Sequence, residues 1–196
     1  MDMHDFTTVL LAGGKSRRMG RDKLALVVAG KPLFERVLDA LRPLAPEVLV
    51  ITNDEQRFSH YAVTTYADIY PGSALGGLYT GLYYAQTEHV FASACDLPYA
   101  NLTIAQYLCA VMGDNDVSVV CTSHGFEPLF ACYSKRCLPA IEQALRSRNY
   151  KIQRIWNELQ VKVVNYNEIA HIDGCASAFM NVNRQEDLDK IVQHPC

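Results

Sequence analysis

The run Phe6-Thr-Thr-Val-Leu-Leu11, passing directly into Ala12-Gly-Gly-Lys-Ser-Arg-Arg-Met-Gly-Arg-Asp-Lys23, decides how the chain is read. Its first half is short, apolar and β-branched, the composition of a buried strand. Its second half joins small residues to a cluster of cations. Residues 15–23 hold Lys15, Arg17, Arg18, Arg21 and Lys23, five of the 18 Lys and Arg in 196 residues, where an even spread would give fewer than one. Consecutive small residues at a strand end let the backbone curl with its amides exposed. Such amides bind phosphate oxygens, and Lys and Arg neutralise the remaining charge. A polyphosphate is therefore the natural ligand. Two common phosphate loops are excluded: Gly14-Lys15-Ser16 mimics the end of a P-loop, but its opening glycine would fall on Val9, and no G-x-G-x-x-G is present.

Outward from this loop, strand-like runs recur at 6–11, 47–52, 61–66, 88–95, 116–122, 127–133 and 161–165. Between them Leu75, Leu78, Tyr79, Leu82 and Tyr83 repeat at helical spacing, as do Leu138, Ile141 and Leu145, and Pro32 fits the first turn of another helix. Alternation of this kind predicts an α/β, Rossmann-like fold, a mainly parallel central sheet flanked by helices on both faces. Ligands of such sheets bind beyond the carboxyl ends of the strands. The stretch 134–180 breaks the alternation with two helical segments in succession and then a polar run through Asn165, Asn167, His171 and Asp173, which predicts a lobe over one side of the site. Asn183-Arg-Gln-Glu186 has capping-box spacing and predicts a C-terminal helix to about Gln193. With no linker, repeat or low-complexity segment, a single domain over 1–196 is the simplest organisation.

Composition narrows the function classes. The chain is 49% hydrophobic and 20% charged, which excludes disorder. A net charge of -3 and a pI near 6.0 argue against a general nucleic-acid or membrane-surface binder, so any anion site is local. The seven cysteines form no C-x-x-C pair and most lie in apolar runs, where reduced thiols act as small hydrophobes. A cytoplasmic protein is the expectation, because the N-terminal Met-Asp-Met-His-Asp lacks the positive charge of a secretory signal and no apolar run approaches ~18 residues.

The opening motif resembles that of the molybdenum cofactor guanylyltransferases, within the larger group of sugar-nucleotide-type nucleotidyltransferases. Their pattern L-A-G-G-x-S-x-R-M-G-x-D-K is met by Leu11, Ala12, Gly13, Gly14, Ser16, Arg18, Met19, Gly20, Asp22 and Lys23. Gly30-Lys-Pro-Leu33, Asn53, Cys95-Asp-Leu-Pro98, Glu127-Pro-Leu-Phe130 and Phe179-Met-Asn-Val-Asn183 extend the likeness nearly end to end. The resemblance implies a reaction in which GTP and molybdopterin give molybdopterin guanine dinucleotide and pyrophosphate, assisted by Mg2+. It implies a nucleotide-binding half to about residue 100 and a pterin-binding half beyond it. Leu11, Ala12, Gly13 and Gly14 would contact the nucleotide with their backbone and Lys23 its phosphates. Asn53 and Asp68 would help hold base and ribose, although the stretch Asp68–Gly77 is shorter than the family's and lacks the proline of the usual G-P-L-A-G. Asp96 would bind nucleotide and metal, with Asn181 and Asn183 close to the metal or the pterin phosphate. Chaperones of molybdoenzymes and other cofactor-biosynthesis proteins are further partners implied, with no nucleic acid and no membrane.

The residue types suit that chemistry. Asp96 follows an apolar run, so it should emerge at the carboxyl edge of a strand beside the glycine loop, and Mg2+ usually takes one or two carboxylates plus substrate phosphates. A phosphate monoester with a second pKa of about 6 is largely dianionic at neutral pH and needs no base. That fits the lack of a G-x-S-x-G elbow, an H-E-x-x-H site or a Cys-His pair. Arg18, Lys23 and Asp96 are the catalytic candidates, acting by charge and position on a direct in-line transfer. Gly13 is a candidate for purine choice, since related cytidylyltransferases tend to read L-A-A-G. His124 reads as a surface-loop residue, Asp114-Asn-Asp116 as a turn, and Tyr79, Tyr83 and Tyr84 as helix packing. His171, Asp173, Lys151 and Arg154 stay open between the pterin site and the surface, and Trp156 between packing and stacking on a base. Two other readings remain: transfer of CMP or another nucleotide to a pterin or sugar phosphate, and a nucleotide-binding regulatory module without catalysis.

Overall fold

The computed structural model describes residues 5–13 and 23–182. Seven strands form one sheet in the order β5-β4-β1-β6-β8-β7-β9. They are β1 (Phe6–Leu11), β4 (Glu47–Ile51), β5 (Thr64–Tyr66), β6 (His89–Ala94), β7 (Val117–Thr122), β8 (Gly125–Ser134) and β9 (Val161–Asn165), and they match the seven runs read from the sequence. Every pairing is parallel except those of β8, which runs antiparallel to both β6 and β7. A small antiparallel ribbon, β2 (Val27–Val28) with β3 (Lys31–Pro32), stands apart. The helices are α1 (Leu33–Leu41), α2 (Ala74–Tyr84), α3 (Leu102–Ala110), α4 (Leu138–Arg146), α5 (Tyr166–Ile169) and α6 (Cys175–Ala178).

Strand alternation explains why both faces are covered. Phe6 and Leu10 of β1 point to a core shared with Phe34 and Leu38 of α1, Ile104 and Leu108 of α3, and Ile169, Cys175 and Ala178. Val9 and Leu11 point the other way, to Leu75, Leu78 and Leu82 of α2 and Ile141 and Leu145 of α4. A parallel strand buried on both faces needs apolar residues at consecutive positions, as β1 has. The six described cysteines are free and five of them are buried, consistent with use as small hydrophobes. Among the described residues no helix is long and apolar enough to cross a membrane.

Four local readings change. Pro32 is not inside the first turn of α1 but one residue earlier, at its N-cap, where its extended ψ of 142° closes the β2–β3 ribbon. The second helical stretch after residue 134 is a 3-10 run, Ile152–Glu158. The segment 134–180 is no separate lobe: β9 joins the sheet beside β7, and α5 and α6 pack into the core. Helix α3, which the apolar periodicity left unmarked, starts at Asn101, whose Oδ1 accepts from Ile104 N at 3.1 Å. The capping box at Asn183 and the helix to Gln193 lie outside the described residues.

Helix α2 sits closer to β1 than side chains would allow. A Cβ on Gly81 would lie 2.5 Å from Val9 Cγ1, one on Gly77 3.2 Å from Leu11 Cδ2, and one on Gly76 only 2.0 Å from the Tyr70 carbonyl oxygen. Ser73 caps the helix, its Oγ accepting from Gly76 N at 3.1 Å. The preceding loop is tied down by Asp68, whose Oδ1 accepts from Tyr70 N at 3.0 Å. The Thr80 hydroxyl accepts from Ile69 N at 3.0 Å and lies 3.1 Å from Asp68 Oδ1 and 2.9 Å from the Gly76 carbonyl, either of which can take its proton. Burial raises the Asp68 carboxyl above its ordinary value, against the lowering effect of the Tyr70 amide and the Thr80 hydroxyl.

Two outcomes follow for stability. Gly81→Ala gains about 1 kcal/mol of helix propensity but overpacks the β1 interface, which costs roughly 1–3 kcal/mol and must shift the buried Val9. A thermal melt should show Tm lowered by roughly 2–6 °C; an unchanged or raised Tm would mean that α2 can move away freely. For Asp68 the folded protein holds the proton more tightly than the unfolded chain. Stability is therefore lost as pH rises above the ordinary 3.8 and through the raised folded value. Asp68→Asn keeps an acceptor oxygen without the charge, so its Tm relative to the parent should rise between pH 4 and pH 7. A flat difference contradicts the assigned shift.

Candidate functional site

At the carboxyl ends of β4, β1 and β6 the chain opens a cleft of about 290 Å³. Leu11, Ala12 and Gly13 line its centre, Asn53 and Asp68 one side, Asp96 and Leu129 the other, and Gly72, Ser73, Ala74 and Gly77 at the start of α2 form a wall. Each is placed by a strand end. Ala12 N still donates to the Ile51 carbonyl at 3.0 Å, one residue past the end of β1, after which Gly13 leaves the sheet. Among the described residues, a Cβ on Gly13 would meet only the Ile51 carbonyl oxygen, at an ordinary 3.7 Å.

Asn53 follows β4, and its Oδ1 accepts from Asp68 N at 3.2 Å, so the two residues share one hydrogen bond across the cleft wall. Thr52 N donates to the Tyr66 carbonyl at 2.9 Å and holds the same two loops together. The start of α2 adds the positive end of a helix dipole to this wall. Asp96 emerges two residues past the end of β6 and is half-buried. Its carbonyl oxygen accepts from Val182 N at 3.0 Å, and Val182 is buried against Val28 and Leu33. Asn181, exposed, is thereby carried to the Asp96 edge of the cleft. Arg36 braces the loop after Asp96: its Nε donates to the Pro98 carbonyl at 3.2 Å, and its guanidinium lies 5.6 Å from the Tyr99 ring centroid.

The polar donors of the cleft are hard oxygens: two carboxylates, Asp68 and Asp96, with the Asn53 amide. The neighbouring Cys95 thiol is wholly buried, and burial pushes its ionisation far upward, so it offers no thiolate. Among the described residues no group of three or more His, Cys, Asp and Glu could by itself hold a metal. This donor set fits a cation such as Mg2+, which completes its shell with phosphates and water, and does not fit zinc.

Leu11, Ala12, Gly13, Asn53, Asp68 and Asp96, all singled out from sequence, meet in one cleft. Gly14, Arg18 and Asn183 lie outside the described residues, and Lys23 opens the short turn Lys23–Ala25. Lys151, Arg154, His124, His171 and Asp173 are exposed and none lines the cleft. Asp114-Asn-Asp116 is structural: Asp116 accepts from Arg136 Nε at 2.6 Å and Gln160 N at 2.8 Å. Tyr79, Tyr83 and Tyr84 pack in an aromatic row in which Tyr84 stacks on Tyr66 at 3.9 Å, and Trp156 meets Phe126 edge to face at 5.1 Å. The wall made by Ser73 and the start of α2 was missed. Its signal was present, a serine directly before a periodic apolar run.

The fold and cleft have counterparts. A family model described as MobA-like NTP transferase domain matches residues 8–163. A probable molybdenum cofactor guanylyltransferase of Carboxydothermus hydrogenoformans is 34% identical over 193 residues, covering 97% of each chain. One of Aquifex aeolicus is 35% identical over 187 residues, covering 95% of this chain and 90% of its own. In fold, the crystal structure of molybdopterin-guanine dinucleotide biosynthesis protein A from Archaeoglobus fulgidus superposes with a TM-score of 0.82 at 22% identity, over 94% of this chain and 95% of that one. With Gly13 at the centre of this cleft and Asp96 following β6 at one side of it, the chain belongs to the MobA-like NTP transferase family.

Proposed function

We propose that this protein transfers GMP from GTP to the phosphate of molybdopterin, giving molybdopterin guanine dinucleotide and pyrophosphate. The observation that carries the reading is the convergence of Gly13, Asn53, Asp68 and Asp96 on one cleft in a chain with end-to-end relatives named as guanylyltransferases. The volume of about 290 Å³ is at the lower end of small-molecule sites and is of a size for one nucleoside with its first phosphate.

In this reading the guanine lies between Asn53, Asp68 and the start of α2. The backbone of Leu11, Ala12, Gly13 and Gly14 turns its amides to the phosphates, and Lys23 and Arg18 offset their charge. Asp96 would hold Mg2+ together with the nucleotide phosphates, and the ion, when bound, would neutralise charge on the triphosphate. The acceptor phosphate enters from the β8 side, near Asn181 and Asn183. Being dianionic at neutral pH, it attacks the α-phosphorus in line without a base, and pyrophosphate leaves toward the glycine loop. The first hundred or so residues thus serve the nucleotide and the remainder the pterin. The setting proposed is the cytosol, supported by the free thiols, and the product's onward partners are cofactor-biosynthesis proteins and molybdoenzyme chaperones.

Incubation with molybdopterin, Mg2+ and each of the four nucleoside triphosphates should release pyrophosphate with GTP. Release with CTP and not GTP would replace guanylyl by cytidylyl transfer. Asp96→Asn should lower kcat at least 100-fold, in the range lost with a single charge-stabilising group, without lowering Tm by more than a few degrees. Unchanged turnover in that variant would remove Asp96 from the metal.

A further inference from the structure

We propose that Glu127 is a specificity-determining residue for the acceptor, its carboxylate accepting hydrogen bonds from adjacent N–H groups on the 2-amino-4-oxo edge of the pterin ring. The inference deepens the proposed transfer and rests on it.

The geometry begins with a break in β8. Between the pairs Val119–Ala131 and Cys121–Phe126, β7 advances two residues while β8 advances five. The surplus lies in Glu127-Pro-Leu-Phe130. Pro128 has no N–H to give to the ladder, so the sequence itself favours an interruption here, and such bulges re-aim side chains next to active sites. On its other edge β8 keeps register with β6 through Ala92–Ala131 and Ser93–Phe130. From Phe130 the strand runs on through Glu127 toward the end of the sheet at which Asp96 follows β6. Leu129, two residues further along, lines the nucleotide cleft.

Sheet order then assigns the side. Asn53 and Asp68 follow β4 and β5, the glycine loop follows β1, Asp96 follows β6, and Glu127 belongs to β8, the next strand across. A base held by Asn53 and Asp68 leaves only the β8 side of Asp96 for a second substrate attacking in line.

The surroundings of Glu127 indicate what it can bind. It is half-buried, and burial raises its carboxyl, with the charge of Asp96 acting in the same direction and His124 and the Thr122 hydroxyl acting against it. No Lys or Arg among the described residues forms an ion pair with it. A half-buried carboxylate is costly unless hydrogen-bond donors or cations meet it, and N–H donors are what the ring end of the acceptor offers. A phosphate would be repelled, so this position suits the uncharged, N–H-bearing end of the acceptor. A ring N–H beside an exocyclic amino group presents two nearly parallel donors, which match the two oxygens of one carboxylate.

Steady-state kinetics with molybdopterin and GTP, alongside calorimetric binding of MgGTP, test this on Glu127→Gln, Glu127→Ala and Glu127→Asp. Loss of a hydrogen bond to a charged group predicts KM for molybdopterin raised about 10- to 100-fold in the Gln and Ala variants. The Asp variant should recover part of that loss, and Kd for MgGTP, which also certifies the fold, should stay within twofold. Acceptor KM within twofold of the parent overturns the proposal. So does a weakened MgGTP affinity, which would put Glu127 with the nucleotide or its metal. A parent protein that binds MgGTP but transfers nothing to molybdopterin refutes the proposed function itself, a result distinct from either outcome in the variants.

Discussion

The seat of α2 against the end of β1 is the constraint on which the cleft depends. Three glycines allow it: Gly81 over Val9, Gly77 over Leu11 and Gly76 under the Tyr70 carbonyl. Because the helix can lie this close, its first turn stands directly over the point where β1 gives way to Gly13. Because its start is fixed, the loop carrying Asp68 is fixed as well, through Ser73, Thr80 and the Asn53 amide. A bulkier residue at Gly76 would have to displace a backbone carbonyl, and with it the wall of the site.

The described lining of the cleft is acidic, with Asp68 and Asp96, and the five cations of residues 15–23 follow Gly13 in the sequence. In the proposed function a chain of net charge -3 holds a triphosphate by local attraction, to which backbone amides would contribute and a divalent ion at Asp96 would add. The antiparallel insertion of β8 completes the arrangement. It stands between β6 and β7, and its bulge takes in Glu127.

Much of this was legible in the sequence because it depends on local pattern. All seven strands of the sheet fall on runs marked as strand-like in the sequence, most of them apolar and β-branched, and the glycine loop, Asn53 and Asp96 are marked by what precedes them. What was not legible depends on partners distant in the chain. The direction of β8 is set by its pairing with β6 and not by its own composition. Pro32 appeared to be a first-turn residue because its φ suits that position equally well, but the ribbon it closes pairs it with Val27. The run 152–158 has helical composition, yet it folds as a 3-10 turn between α4 and β9. The helical spacing of α2 is plain in the sequence, but the close approach its glycines allow depends on Val9, Leu11 and Tyr70, which local pattern does not reveal.

The most direct test is a crystal structure with Mg2+ and a GTP analogue whose α,β-bridging oxygen is replaced by methylene. The account predicts the guanine against Asn53 and Asp68 below the start of α2, the α-phosphate beside Asp96, and the outer phosphates under the segment that follows Gly13. Nucleotide bound elsewhere, for example in the open surface pocket bordered by Lys31, Arg36 and Tyr99, with the cleft at the strand ends left empty, would contradict it.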